Sequence, residues 1–195
     1  MNLIDQKFNR IKLISKYVDN PKSILEIGTH QGDFSIKLFD NFRPQKLILV
    51  DPWKYETDYI YQNSWYGGSE MHIIGQTKQN SYYEKVKNIF NKEIKNDIVE
   101  IWKMNSDEAF KKNKIKFDLI YIDGNHLYEF VLKDILNSIN CLNKDGIIVC
   151  DDFNSNGWWE DGVTKAINEI LQKKQLIFLN KEEALVTQQG VLKME

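Results

Sequence analysis

The sequence predicts a doubly wound α/β domain: a seven-stranded, mostly parallel sheet with helices on both faces and a C-terminal antiparallel hairpin. Two observations carry this expectation. Five short apolar runs alternate with stretches of helical periodicity, which is the signature of parallel strands joined by crossover helices. Two further runs near the carboxyl end flank a short polar turn, as antiparallel neighbours do. A length of 195 residues with 42% hydrophobic content suits one core rather than two, so residues 1–195 read as a single domain.

The elements follow in order. Leu3, Ile4, Phe8, Ile11, Ile14, Tyr17 and Val18 recur at helical spacing until Pro21 stops the pattern, which makes 1–20 an amphipathic N-terminal helix. Residues 23–27 form an apolar run that ends at Gly28, and 34–39 resume helical spacing. Further strands are read at 46–50, 97–102, 117–122 and 146–150, with helices at 81–90, 107–112, 127–142 and 162–173. The hairpin is read as 176–179 and 184–187 around the turn 180–183.

The formal charge of −2 lacks the basic excess expected of a nucleic-acid binder. The first ten residues contain neither a long apolar stretch nor a signal-like pattern, which points to a cytoplasmic protein without a membrane span. Cys141 and Cys150 lack metal-like spacing and read as two buried free thiols. A small, weakly charged or neutral partner is the remaining expectation.

In such a sheet the ligand sits outside the carboxyl ends of the strands, so the residues leaving each strand matter most. The first exit runs Glu26-Ile27-Gly28-Thr29-His30-Gln31-Gly32; its glycines let a ligand approach the backbone, and the next helix offers its amides. The dinucleotide pattern would need a third glycine and has glycine where His30 stands, which argues against a bound pyrophosphate. Asp51 ends the second strand, placed for a carboxylate that accepts both hydroxyls of a ribose. The alternative is a plain glycine turn beside a solvated Asp. The fourth and fifth strands end in Ile122-Asp123-Gly124-Asn125-His126-Leu127-Tyr128 and Cys150-Asp151-Asp152-Phe153.

With Leu25-Glu26-Ile27-Gly28, Val50-Asp51-Pro52-Trp53 and Ser106-Asp107-Glu108-Ala109, these stretches resemble the class I S-adenosylmethionine-dependent methyltransferases. The resemblance is to the small bacterial group with an Ile-Asp-Gly-x-His-x-Tyr motif, related to macrocin-type and catechol-type O-methyltransferases, and it spans about residues 23–170. It implies a Rossmann-like fold and S-adenosyl-L-methionine (SAM) as cofactor. Glu26, Gly28, Thr29, His30 and Gly32 would surround its methionine portion, and Asp51 its ribose. Pro52 and Trp53 would lie beside the adenosine, and Asn105 and Ser106 would face the adenine, although Trp53 equally suits a core.

In the metal-dependent relatives a divalent cation such as Mg²⁺ is held by acids that match Asp123, Asp151 and Asp152 here. A hard cation on oxygen ligands would lower an acceptor hydroxyl's pKa and orient it; the alternative is that these acids cap loops. The macrocin-type relatives also place an acidic base where this chain has Asn125, which cannot take a proton. His126 is the natural replacement, since an imidazole accepts protons near neutrality; otherwise it caps or packs. Asp123, beside the reaction centre, completes the catalytic expectation.

The stretch 53–75 carries Tyr55, Tyr59, Tyr61, Trp65 and Tyr66 before Gly67-Gly68 and His72. It reads either as a lid over the site, with the glycines as hinge, or as a homodimer surface. Trp158 and Trp159 form the facing wall or simply pack. The resemblance favours a small-molecule acceptor, a sugar or glycan hydroxyl first and a phenolic or catechol hydroxyl second. Two other classes stay open: a nicotinamide-dependent enzyme of the same architecture, and a non-catalytic cofactor-binding or assembly protein.

Overall fold

The protein is described by a computed structural model covering residues 10–64, 66–68, 71–173, 175–180, 183–184 and 188–194. Seven strands form one sheet in the order β3-β2-β1-β4-β5-β7-β6. They are β1 (Ser23–Ile27), β2 (Lys46–Asp51), β3 (Val99–Lys103), β4 (Phe117–Ile122), β5 (Leu142–Cys150), β6 (Leu176–Phe178) and β7 (Gly190–Met194). The helices are α1 (Asp33–Phe42), α2 (His72–Ile89), α3 (Asn91–Lys95), α4 (Ser106–Lys112), α5 (Tyr128–Asn140) and α6 (Gly162–Gln172). The first five strands pair in parallel, and β7 runs antiparallel between β5 and β6. Among the described residues, no helix is long and apolar enough to cross a membrane.

Alternation along the strands sorts side chains onto two faces. Leu25, Ile27, Ile48, Val50, Ile120, Ile122 and Ile148 pack on the face that also buries Val131 and Ile135 of α5 and Ala166, Ile167 and Ile170 of α6. Ile24, Leu47, Leu49, Leu119, Ile147 and Val149 pack on the other face with Ile11 and Ile14, Phe34 and Leu38 of α1, and Val86 of α2. With both faces covered, the strands read as nearly unbroken apolar runs. The winding reverses between β1 and β4, which places a crevice at their carboxyl ends.

The structure departs from the sequence expectation in three places, one of them β5, which begins at Leu142, where the expected helix was still running, rather than at 146. The second hairpin strand is Gly190–Met194, not 184–187. Ala184 lies in a helical turn, with its amide donating to the Asn180 carbonyl (2.8 Å) and its carbonyl accepting from Gln188 (3.0 Å); residues 185–187 lie outside the described residues. The buried Asn180 side chain donates to the Gln189 carbonyl and accepts from the Val191 amide, both at 2.8 Å, so it starts the strand past Gln189. A four-residue apolar run does not by itself distinguish helix from strand.

Helix α2 begins at His72, nine residues before the expected start. Its first turns expose Ile73 (74%) and Ile74 (57%), which erases the apolar stripe that periodicity detects. Gly75 is required there, because a Cβ would stand 2.2 Å from the Tyr55 ring. Of the expected N-terminal helix, residues 10–14 are helical and 1–9 lie outside the described residues. Both cysteines are free and buried, as expected.

Asp134 of α5 is only 2% exposed. Burial pushes its carboxyl up to about 7 from an ordinary 3.8, although a hydrogen bond from Ser106 opposes the rise. Between those two values the folded chain holds a proton that the unfolded chain releases, so stability falls as pH rises through this window. Asp134→Asn should remove that slope. The expected gain is on the order of 4 kcal/mol at pH 8 and close to none at pH 4, read from thermal melts across pH; parallel profiles for the two proteins would contradict it.

Candidate active site

The carboxyl ends of β1 and β2 are tied together through one carboxylate. Asp51 accepts the His30 amide on Oδ2 (2.8 Å) and the Trp53 amide on Oδ1 (2.7 Å). The Trp53 indole N–H returns to the His30 carbonyl at 2.7 Å. Burial raises the Asp51 carboxyl to about 6, against the pull of those two amides. Trp53 is fully buried and packs beside Tyr83, with ring centroids 5.1 Å apart. Pro52 beside it is exposed.

Gly28 lies at φ +92° and donates its amide to the Val50 carbonyl at 2.9 Å. Thr29 donates to the same carbonyl at 3.4 Å, and the Gly32 amide closes the turn onto the Thr29 carbonyl at 2.8 Å. Gly32, at φ +79°, is the N-cap of α1 and gives its helix no side-chain cap, so the first amides of α1 face the loop. Glu26 is 1% exposed and accepts a short hydrogen bond from the Ser35 hydroxyl on α1. On the far side of β2, Asn105 caps α4: its Oδ1 accepts the Glu108 amide at 2.9 Å and Glu108 reciprocates. Ser106 turns to Asp134.

The β4 and β5 exits converge on this loop. The Asp123 amide donates to the Ile27 carbonyl at 2.8 Å and the Asp151 amide to the Ile122 carbonyl at 2.9 Å. Arg10, from the N-terminal helical residues, reaches across: its Nη1 is 2.7 Å from Asp151 Oδ2 and 3.7 Å from Asp123 Oδ2. The same nitrogen donates to the Tyr121 hydroxyl at 3.4 Å. Gln189 donates to Asp151 Oδ1 at 2.5 Å and to Tyr121 at 3.1 Å. Burial disfavours the Arg10 charge, but Tyr121 and the carboxylates of Asp151, Asp123 and Asp152 outweigh it and hold the guanidinium protonated.

His126 occupies the other side of the acids. Its Nε2 stands 3.5 Å from Asp123 Oδ1 and 3.4 Å from Asp152 Oδ2, and no hydrogen bond forms at these separations among the described residues. Burial lowers the affinity of this imidazole for a proton, but Asp123 and Asp152 more than restore it, leaving its pKa above the ordinary 6.5. Burial likewise raises the Asp123 carboxyl, yet His126 and Arg10 bring it below the usual carboxylate value. The His126 ring packs on Trp159 at 4.8 Å between centroids.

The aromatic stretch after β2 closes over this corner. Asn125 donates to the Tyr61 hydroxyl at 3.1 Å, and Tyr61 and Tyr66 meet the Trp158 ring edge-on at 5.6 and 5.7 Å. Tyr55 instead turns into the protein and donates to the Gly68 carbonyl at 2.7 Å. Tyr59 is 82% exposed, His72 packs against Tyr55, and Trp65 lies outside the described residues. The buried Tyr66 hydroxyl, Trp159 indole nitrogen and His126 Nε2 have no hydrogen-bond partner among the described residues.

Sequence reasoning thus named the acids, His126 and the tryptophans but missed Arg10, Tyr121 and Gln189. No local signal marks them. Arg10 is one basic residue on an amphipathic helix, and it meets the acids only through chain folding that joins positions more than a hundred residues apart.

The comparisons agree with this architecture. The SAH-bound methyltransferase PaMTH1 from Podospora anserina is similar at 16% identity and a TM-score of 0.59, covering 97% of this chain and 76% of that one. An O-methyltransferase from Bacillus cereus in complex with SAH matches at 15% identity and a TM-score of 0.62, over 92% and 74% of the two chains. The O-methyltransferase TomG from Streptomyces achromogenes, involved in tomaymycin synthesis and solved with SAM, matches at 13% and 0.63, over 100% and 81%. No curated protein matches the sequence. The family described as "Methyltransferase domain" matches residues 25–153, from the first strand through the acid pair after β5, and the chain belongs to that family.

Proposed function

We propose that this protein is an SAM-dependent O-methyltransferase that acts on a small-molecule hydroxyl, with a sugar or glycan hydroxyl as the preferred class and a phenolic one second. One observation carries the reading: Asp51, the Gly28–Gly32 turn and the Asp123 loop meet at the point where the sheet reverses, the place such folds reserve for a nucleoside. Membership of the methyltransferase family then favours SAM over a nicotinamide cofactor, as does the missing third glycine.

When bound, SAM supplies a sulfonium-activated methyl group. The residues of the chain do the rest. Each Asp51 oxygen spends one lone pair on a backbone amide and keeps capacity for a ribose hydroxyl. The Gly28–Gly32 turn and the α1 amides receive the amino-acid portion, while Pro52, Asn105 and Ser106 border the nucleoside and the fully buried Trp53 packs behind Asp51 as core rather than touching it. His126 takes the proton of the acceptor hydroxyl on Nε2, and Asp123 steadies the imidazolium that forms. Tyr61, Tyr66, Trp158 and Trp159 serve as a lid and wall for the acceptor. The unpartnered polar atoms on Tyr66, Trp159 and His126 suit a hydroxyl-rich molecule, because buried polar groups demand partners.

The divalent ion implied by the resemblance does not fit these residues. Asp151 already spends one oxygen on Arg10 and the other on Gln189, and a guanidinium stands where Asp123 and Asp151 would share an ion. Among the described residues, no three His, Cys, Asp or Glu side chains form a metal-holding group.

Titration calorimetry with SAM, and with NAD as control, tests the proposal. SAM should bind and NAD should not. Asp51→Ala should weaken SAM binding by about tenfold to a hundredfold, the worth of one or two hydrogen bonds to a charged group. NAD binding in preference to SAM would overturn the reading.

A further inference from the structure

The charge arrangement at the β4 and β5 tips points to a built-in cation. We infer that the Arg10 guanidinium takes the place of the divalent ion in this carboxylate cluster, so that the transferase works without a bound metal. The inference extends the reading of this crevice as a methyl-transfer site, but the geometry behind it is independent of SAM.

Three carboxyl groups gathered at neighbouring strand ends repel one another when ionised and need positive charge or a shared proton among them; burial and Asp123 push the Asp151 carboxyl well up, and Arg10 opposes that rise. A divalent ion is one solution, and it requires oxygens free to approach to about 2.0–2.6 Å in a closed shell. This chain uses another. Arg10 Nη1 touches Asp151 Oδ2 at 2.7 Å and stands 3.7 Å from Asp123 Oδ2, and His126 Nε2 lies between Asp123 Oδ1 and Asp152 Oδ2, at 3.5 and 3.4 Å. The series Asp151–Arg10–Asp123–His126–Asp152 thus alternates acid and nitrogen base along its whole length.

Arg10 is a built part of this cluster rather than a surface side chain that fell against it. Only 23% of the side chain is exposed, and Asp151 is 4% exposed. The Phe34 ring lies 6.0 Å beneath the guanidinium carbon, and the Tyr121 hydroxyl accepts from the same nitrogen. Gln189 fixes Asp151 from the opposite side at 2.5 Å, so the carboxylate cannot turn toward an ion without breaking a buried bond. Arg10 is therefore a positioning residue: it holds Asp123, and through Asp123 the ring of His126. One consequence concerns the acceptor. An ion favours two adjacent oxygens that chelate it, whereas a guanidinium-held cluster needs only one hydroxyl near His126.

Electron paramagnetic resonance of Mn²⁺ mixed with the ligand-free full chain tests this without reference to activity. The wild type should leave the free Mn²⁺ signal unchanged up to about 1 mM, the weak end of specific protein sites. Arg10→Met, which keeps the stem and removes the charge, should take up Mn²⁺ at least tenfold more tightly than wild type and lose that uptake when Asp151→Asn is added. Uptake of one Mn²⁺ by the wild type, abolished by Asp151→Asn, would overturn the inference. So would an Arg10→Met protein that neither gains Mn²⁺ nor changes in acceptor KM or kcat. Should Arg10→Met not fold, Arg10→Lys and the wild-type titration decide: exclusion of Mn²⁺ by both supports the inference, and uptake by either refutes it. Failure of SAM to bind in calorimetry would count against the proposed function and leave this result standing.

Discussion

Gly28→Ala is expected to cost the protein about 4 kcal/mol or more and to abolish measurable SAM binding. A Cβ at this position would stand 1.9 Å from the Asp123 carbonyl oxygen and 2.4 Å from its carbon, far inside any real contact, and both neighbours are backbone that cannot swing aside. The backbone is also at φ +92°, where a side chain adds strain of about 1–2 kcal/mol. The methyl group must therefore push the Asp123 loop away from β1, which breaks the bond between the Asp123 amide and the Ile27 carbonyl and spreads the crevice. For a chain of this length each kcal/mol lowers the melting temperature by roughly 2–4 °C, so a fall of about 10 °C or more is expected. Gly32→Ala provides the control. There the nearest atom to a new Cβ is a side-chain methyl of Val86 at 3.1 Å, which can yield. If the two variants melt alike, the tight approach of the β1 and β4 loops is not what requires glycine.

His126→Ala is expected to reduce turnover by about 10²-fold or more, the usual contribution of a general base, while SAM affinity in calorimetry stays within a few-fold. The separation follows from position. His126 touches Asp123, Asp152 and Trp159, whereas Asp51 bonds on the other side of Gly28 to His30 and Trp53. The neighbouring carboxylates raise the basicity of the imidazole, which favours proton acceptance from an alcohol. His126→Gln keeps a polar side chain of similar reach but cannot take a proton, so it should be as slow as the alanine variant. A glutamine variant with wild-type turnover would show that position 126 only orients the loop.

The fold was legible where its physics is local or periodic. Buried parallel strands appear as unbroken apolar runs, and β1, β2, β4 and the core of β5 lie where those runs stand. The hairpin was legible as a pair, but its second strand was not, because its start is set by the buried amide of Asn180 rather than by the apolar run at 184–187. The start of α2 escaped because Ile73 and Ile74 face solvent, so apolar character there reports nothing about a core. At the site, strand-end carboxylates declare themselves through the topology rule for α/β sheets. Asp51, Asp123 and Asp151 could be named, but the guanidinium among them could not. A sequence displays the charges that a strand end presents, whereas their counter-charge arrives from an element more than a hundred positions away, with no pattern to announce it.

The links made by the first described residues and by Gln189 also bear on the order of assembly. Arg10 joins the tip of β5, Lys16 and Tyr17 bind Glu183, and Gln189 completes the bonding of Asp151. The Arg10 and Glu183 contacts are among the most distant pairings in the chain, and closing such long loops is slow relative to local helix or strand formation. During synthesis the central strands therefore emerge and pair while their acidic tips still lack the full set of bonds that settles them. Maturation of the crevice waits for β7, and a nascent chain stalled before residue 189 should pair β1 to β5 but leave β6 without its partner and the rim unsettled.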